Sequence, residues 1–127
     1  LVMDQWFSVQ AASTMPGGLA RVEELMQHPA FNLKNPNKVR AVIGAFGGQN
    51  AINFHQLDGS GYRFLADQVI TLNALNPQIA SRLLSPLTRW RKYSPERQAL
   101  MKAELERILA SGELSSDVYE VVSKSLA

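Results

Sequence analysis

The sequence predicts an all-α fold. Apolar residues recur at helical spacing in one segment after another. No segment sustains the two-residue alternation of a half-buried strand. Proline-bearing start signals, Asn35-Pro36, Asn76-Pro77 and Ser94-Pro95, sit directly before such segments. Asn and Ser are good N-caps, and proline suits the first helical position because its missing N–H would have no intrahelical partner there.

The stretch from Asn76 to Tyr93 organises the rest. At about 100° per residue, Ile79, Leu83, Leu84, Leu87 and Trp90 share one face. Gln78, Arg82, Ser85 and Arg89 form a narrow polar stripe opposite. Pro86 interrupts the backbone ladder and is expected to kink this helix.

In chain order, residues 1–13 place Val2, Met3, Trp6, Phe7 and Gln10 at helical spacing, with Trp6 and Phe7 expected as core or interface anchors. Met15-Pro16-Gly17-Gly18 breaks the chain. Leu19, Val22, Leu25 and Met26 form the inner face of a second helix, which His28-Pro29 ends, with His28 expected as a C-terminal cap. Val39, Val42, Ile43 and Phe46 form the buried face of a third helix. Its other face carries Arg40, Gly44 and Gly47; Gly47-Gly48 is expected to end the helix, and Gly44 is open to a close approach by another helix or a ligand. Residues 50–57 predict a short helix or turn around Phe54 and His55. Asp58-Gly59-Ser60-Gly61 lacks the spacing of a phosphate-binding loop and is expected to be a turn with an N-cap.

Tyr62, Leu65, Ala66, Val69 and Leu72 give a long helix. Leu100, Met101, Leu105 and Ile108 line the helix that begins at Ser94-Pro95, and Gly112 stops it. Ser115, Ser116 or Asp117 caps a last helix carrying Val118, Val121, Val122 and Leu126. The expected architecture is about seven helices joined by short loops and packed as antiparallel pairs. On the pattern alone this is an α-solenoid or an orthogonal bundle. No clear repeat is visible, so a solenoid would be irregular.

The length of 127 residues suits a single domain, 1–127, and 46% hydrophobic residues supply a core. No run of roughly 18 apolar residues is present, which leaves no candidate membrane helix. The absence of cysteine excludes disulfides and thiolate metal sites. It fits a reducing compartment. With no signal sequence in the first residues, the expected location is cytoplasmic. The chain starts at Leu1 inside a helical pattern and ends in another, as a fragment of a longer protein would.

Lys plus Arg number 13 against 11 acidic residues, a net charge of +2. The one dense basic cluster is Arg89, Arg91 and Lys92, followed by Arg97 and Lys102. It reads as a solvated helix end, and nucleic acid is not expected as a partner. His28 and His55 each lack a second histidine or an acid at ligand spacing, so no metal site is expected. No nucleophile shows a local signature. The residues supply no catalytic machinery. Arg40 and Arg82 remain, each shortly after an Asn-Pro cap. Arginine offers a planar fork for carboxylates. The competing reading is an ion pair to Asp58 or Asp67, or plain solvation.

Several motifs together resemble one family. They are D-Q-W-F at residues 4–7, H-P-A-F-N-L-K-N-P-N-K-V-R at 28–40, N-F-H-Q-L-D-G-S-G-Y at 53–62, N-P-Q-I-A-S-R-L at 76–83, R-W-R-K-Y at 89–93 and S-S-D-V-Y-E-V-V-S-K-S-L-A at 115–127. They resemble the C-terminal helical domain of the bacterial aminopeptidase N family, the alanyl aminopeptidases among the gluzincin zinc peptidases. The resemblance runs nearly end to end.

It implies an irregular armadillo- or HEAT-like superhelical stack. It also implies a parent zinc metalloaminopeptidase that removes N-terminal residues from peptides. Its zinc is bound by a catalytic domain absent from this chain, so the chain alone is expected to be inactive. The partners implied are the other domains of the same polypeptide and peptide substrates. The resemblance further implies that Arg40, Gln78 and Arg82 line the cavity beyond the scissile bond and bind substrate there, with no catalytic or metal-ligating role. Gln78 and Arg82 are one helical turn apart and therefore neighbours. The alternative is a free-standing helical scaffold that binds a protein partner.

Overall fold

A computed structural model describes residues 2–13, 17–29, 31–32, 34–55, 58–112 and 114–126, excluding the side chains of 2–4, 49, 51 and 52. The described residues are helical, with no strand among them. None of the helices among them is long and apolar enough to cross a membrane. The chain divides into two compact units, Leu1–Gln56 and Leu57–Ala127.

The first unit contains α1 (Val2–Ala12), α2 (Gly18–Met26), α3 (Pro36–Val39), a π-helical turn (Arg40–Gly44), α4 (Ala45–Gln49) and α5 (Ala51–Phe54). Helix α3, the π turn and α4 follow one another without a break and pack against α1. Phe7, Ala11, Val22, Leu25, Val39, Val42, Ile43, Phe46 and Phe54 are buried in this unit.

Trp6 and Phe7 separate in the structure. Phe7 is fully buried, whereas Trp6 remains 43% exposed. The inward register of α1 therefore runs through Phe7 and Ala11; Val2 and Met3 lie outside the described side chains. His28 closes the end of α2 through its backbone, its N–H donating to the Leu25 carbonyl at 3.1 Å. Its ring packs 5.5 Å from Trp6 and 5.4 Å, edge-on, from Phe7. The expected stop at Gly47-Gly48 is also displaced, since α4 continues to Gln49 and Gly47 is buried.

A buried polar clamp joins the ends of α1 and α2. Asn50 donates from Nδ2 to the carbonyls of Ala11 (2.9 Å) and Ser13 (2.8 Å). Asn53 donates to Asn50 Oδ1 at 3.0 Å and accepts from the Gly18 N–H at 3.4 Å. Both asparagines are almost wholly buried. They satisfy carbonyls at one helix end and an N–H at the next, groups that would otherwise be orphaned. Gly18 permits this approach, because a Cβ there would lie 2.5 Å from the Asn53 amide.

The second unit contains α6 (Ser60–Leu75), α7 (Pro77–Leu83), α8 (Ser85–Thr88), a 3₁₀ turn (Trp90–Lys92), α9 (Pro95–Leu109) and α10 (Ser116–Leu126). Helix α6 packs on α7 and α9, and α10 packs on α9 and α7. Tyr62, Leu65, Leu72, Leu84, Leu87, Met101, Leu105 and Ile108 are fully buried.

Helix α6 starts as expected. Gly59 adopts φ 76°, and Asp58 accepts from the Ser60 N–H and hydroxyl at 2.9 and 2.7 Å. The Ser60 hydroxyl bond, first among several causes, holds the Asp58 carboxyl below its ordinary range. Ser115 caps α10, accepting from the Val118 N–H at 3.2 Å while its own N–H reaches Asn73 Oδ1 at 2.8 Å.

The expected single kinked helix after Asn76 is instead three short pieces. Helix α7 ends at Leu83, α8 begins at Ser85 with Pro86 in its first turn, and Trp90 opens the 3₁₀ turn. Proline cannot complete the α ladder behind it, so it restarts a helix more readily than it continues one. Asn76 caps α7 through its Oδ1, 3.3 Å from the Ile79 N–H. Replacing Asn76 with Ala is expected to lower the unfolding free energy by about 1 kcal/mol, read as a drop in the urea midpoint at unchanged slope. No drop would mean that Pro77 and the packing of Ile79 suffice to start the helix.

Candidate functional site

Helix α7 presents the polar stripe with the expected sidedness. Ile79, Ala80 and Leu83 face the core, while Gln78 and Arg82 are exposed. Ser85 and Arg89 beyond the break are exposed too. Pairing of Arg82 with Asp58 or Asp67 does not occur. Asp67 lies 2.8 Å from Arg107, which also pairs with Glu104 at 2.7 Å. Asp58 is occupied by Ser60. Among the described residues, Arg82 and Arg89 have no carboxylate partner. Gln78 and Arg82 thus hold an amide and a guanidinium in register on one helix, open to an approaching acceptor.

Arg40 lies in the first unit. From Val39 to Gly47 it is the one exposed residue; all the others are buried except the half-buried Gly44. The π turn begins at Arg40, whose carbonyl accepts from the Ala45 N–H, five residues on. Such turns insert one extra residue into a helix and are frequent at functional sites. Here the turn lets Ala41, Val42 and Ile43 all go inward while the arginine stays out. Arg40 donates to Asn37 Oδ1 at 2.6 Å. It borders an open depression of about 570 Å³ lined also by Gln5, Ser8, Val9, Asn37 and Ala41. The sequence signalled Arg40 but not Asn37, Gln5 or Ser8; the three-residue spacing of Asn37 and Arg40 after the Pro36 cap was the available cue.

Within its own helix, then, the structure brings Gln78 and Arg82 together, and it sets Arg40 in a separate polar depression. The basic cluster has a local explanation. The Arg91 guanidinium lies 4.6 Å and the Lys102 ammonium 5.8 Å from the Trp90 ring, so both cover its faces. His28 lies beside Trp6, Arg21 and Glu24 in a smaller depression of about 350 Å³. Among the described residues no group of three or more His, Cys, Asp or Glu side chains is placed to hold a metal ion.

These features define two helical units, each with an exposed arginine-bearing polar surface, and no assembled catalytic centre among the described residues. Residues 1–127 match the family described as "Domain of unknown function (DUF3458_C) ARM repeats", and the chain belongs to it. Aminopeptidase N of Escherichia coli (strain K12) is 48% identical over 127 residues, covering 100% of this chain and 15% of that protein. Aminopeptidase N of Caulobacter vibrioides is 48% identical over 126 residues, covering 99% and 15%. A solved structure, Legionella pneumophila aminopeptidase A in complex with aspartic acid, superposes with a TM-score of 0.91 at 40% identity, covering 98% of this chain and 14% of that one. The chain therefore spans only 14–15% of the length of these relatives.

Proposed function

We propose that this chain is the C-terminal helical domain of a zinc-dependent aminopeptidase, in which it encloses the substrate cavity and contacts the peptide beyond the scissile bond. The observation that carries this is the match to aminopeptidase N proteins at 48% identity over essentially the whole chain. The catalytic zinc would be held elsewhere in the polypeptide, outside the 15% of aminopeptidase N that this chain matches. Zinc in such enzymes polarises the peptide carbonyl and lowers the pKa of a bound water. The setting we propose is the cytoplasm, on the cysteine-free composition.

The contribution of this chain is positional. Gln78 and Arg82 offer donors to the backbone or terminal carboxylate of a bound peptide, and Arg40 offers a third contact. Fixing the far end of a peptide lowers the entropic cost of aligning its first carbonyl. The effect grows with peptide length and leaves the chemistry of bond cleavage to other residues.

Arg82→Ala in the full-length enzyme tests this. A single-residue chromogenic amide does not reach Arg82, whereas a tripeptide does. A hydrogen bond to a charged group contributes about 1.5–3 kcal/mol, so kcat/KM for the tripeptide should fall roughly ten- to a hundredfold. The amide should be nearly unaffected. Equal, small losses for both substrates would make Arg82 a solvated surface residue and end the cavity-lining assignment.

A further inference from the structure

The polar stripe of α7 does not stop where that helix stops. Leu84, between α7 and α8, keeps right-handed helical dihedrals, φ −71° and ψ −16°, so the chain carries its direction into α8. Ile79, Leu83, Leu84, Leu87 and Trp90 are buried on both sides of the break. Their spacing preserves one inward face through α7, α8 and the 3₁₀ turn. Gln78, Arg82, Ser85 and Arg89 are exposed along the other side. Cations next to Arg89 are engaged locally. Arg91 and Lys102 lie over the Trp90 ring, and Arg97 bonds the Tyr62 side chain. Arg89 forms no ion pair with a described carboxylate.

We infer that Arg89 is a distal specificity residue for peptides, selecting an acidic side chain about three residues beyond the peptide residue that Arg82 contacts. The inference rests on the proposed peptide-contacting role of Gln78 and Arg82, and it adds a residue, a position and a side-chain class to that role. Spacing sets the position. At about 1.5 Å of rise per residue, Arg89 stands roughly 10 Å along the axis from Arg82. An extended peptide advances about 3.3 Å per residue and covers that span in about three. A peptide whose third residue reaches Arg82 therefore brings its sixth to Arg89. Charge sets the class. Bonds from arginine to a carboxylate are charge-assisted and can be bidentate, whereas a backbone carbonyl offers neither advantage. A lysine at the same peptide position meets a like charge.

The test uses the full-length enzyme and C-terminally amidated heptapeptides, with Glu or Lys placed in turn at positions four to seven and alanine elsewhere. Amidation leaves the glutamate as the one carboxylate of the peptide. The ratio of kcat/KM for Glu over Lys is expected to peak near position six at roughly tenfold. Arg89→Ala should bring that ratio below about twofold, and Arg89→Lys should retain part of it. Arg91→Ala removes a neighbouring cation outside the stripe and should leave the ratio in place. All three variants should cleave a single-residue amide at the parent rate, which shows that the fold is intact. A diffuse field from the basic cluster would favour Glu at every position alike and respond equally to Arg89→Ala and Arg91→Ala; either result overturns the assignment, as does equal cleavage of Glu and Lys peptides throughout. If Arg82→Ala still separates a tripeptide from a single-residue amide, only the role of Arg89 fails; if it does not, the peptide-contacting role fails as well.

Discussion

Trp90→Ala is expected to lower the unfolding free energy of the second unit by about 3–5 kcal/mol. The indole is 9% exposed. Its removal deletes a large apolar volume and leaves a cavity that the surrounding helices fill only in part. The Nε1–H also donates to the Ser125 carbonyl at 3.1 Å, tying the 3₁₀ turn to the end of α10. The stacked Arg91 and Lys102 would lose the ring they cover. Trp90→Phe separates these contributions. It keeps most of the ring and loses the hydrogen bond, so it should cost about 1–2 kcal/mol. Urea unfolding followed by helical circular dichroism reads both variants, because the mutation removes a tryptophan that fluorescence would rely on. A loss below about 1 kcal/mol for Trp90→Ala would mean that α10 and the 3₁₀ turn are held by other contacts.

Asn50→Leu is expected to destabilise the first unit by about 3 kcal/mol, although the replacement is apolar and of similar size. Burial by itself would favour leucine. Hydrogen bonding decides against it. The substitution strips the donor from the Ala11 carbonyl, the shorter of two donors from the Ser13 carbonyl, which still accepts from Asn53 Nδ2 at 3.3 Å, and the Asn50 acceptor from the Asn53 amide. Each buried polar group left without a partner costs about 1–3 kcal/mol, which exceeds the gain from one more apolar side chain. Amide hydrogen exchange at the C-terminal end of α1 and the start of α2 should accelerate with the global loss. An unchanged urea midpoint would show that water replaces the Asn50 amide, and the clamp would then be dispensable.

These two residues differ in how far the sequence exposed them. Trp90 was legible: it falls on the apolar face with Ile79, Leu83, Leu84 and Leu87, and all of these are buried. Asn50 was not. A polar residue in a short segment reads as a surface turn, and its burial follows from where α1 and α2 end in space. The same division runs through the candidate site. The stripe of Gln78 and Arg82 was legible because helical spacing alone puts both on one side of α7. Its freedom from Asp67 was not, since that depends on Arg107, forty residues away in sequence, taking the carboxylate.

The sequence by itself determined the helical class, the caps at Asn35 and Asn76, and the inward residues of most helices. These depend on period, local hydrogen bonding and side-chain polarity, all of which act within a few residues. Only the tertiary structure decided the rest. It carried α4 on to Gln49, buried Phe7 while leaving Trp6 exposed, and placed a π turn at Arg40. In each case the local pattern allowed more than one outcome, and the choice fell to contacts between residues far apart in the chain. The depression at Arg40 has the same origin. Gln5 and Ser8 meet Asn37 and Arg40 only because α1 packs against the helix that carries the π turn, and no spacing within either helix announces the other.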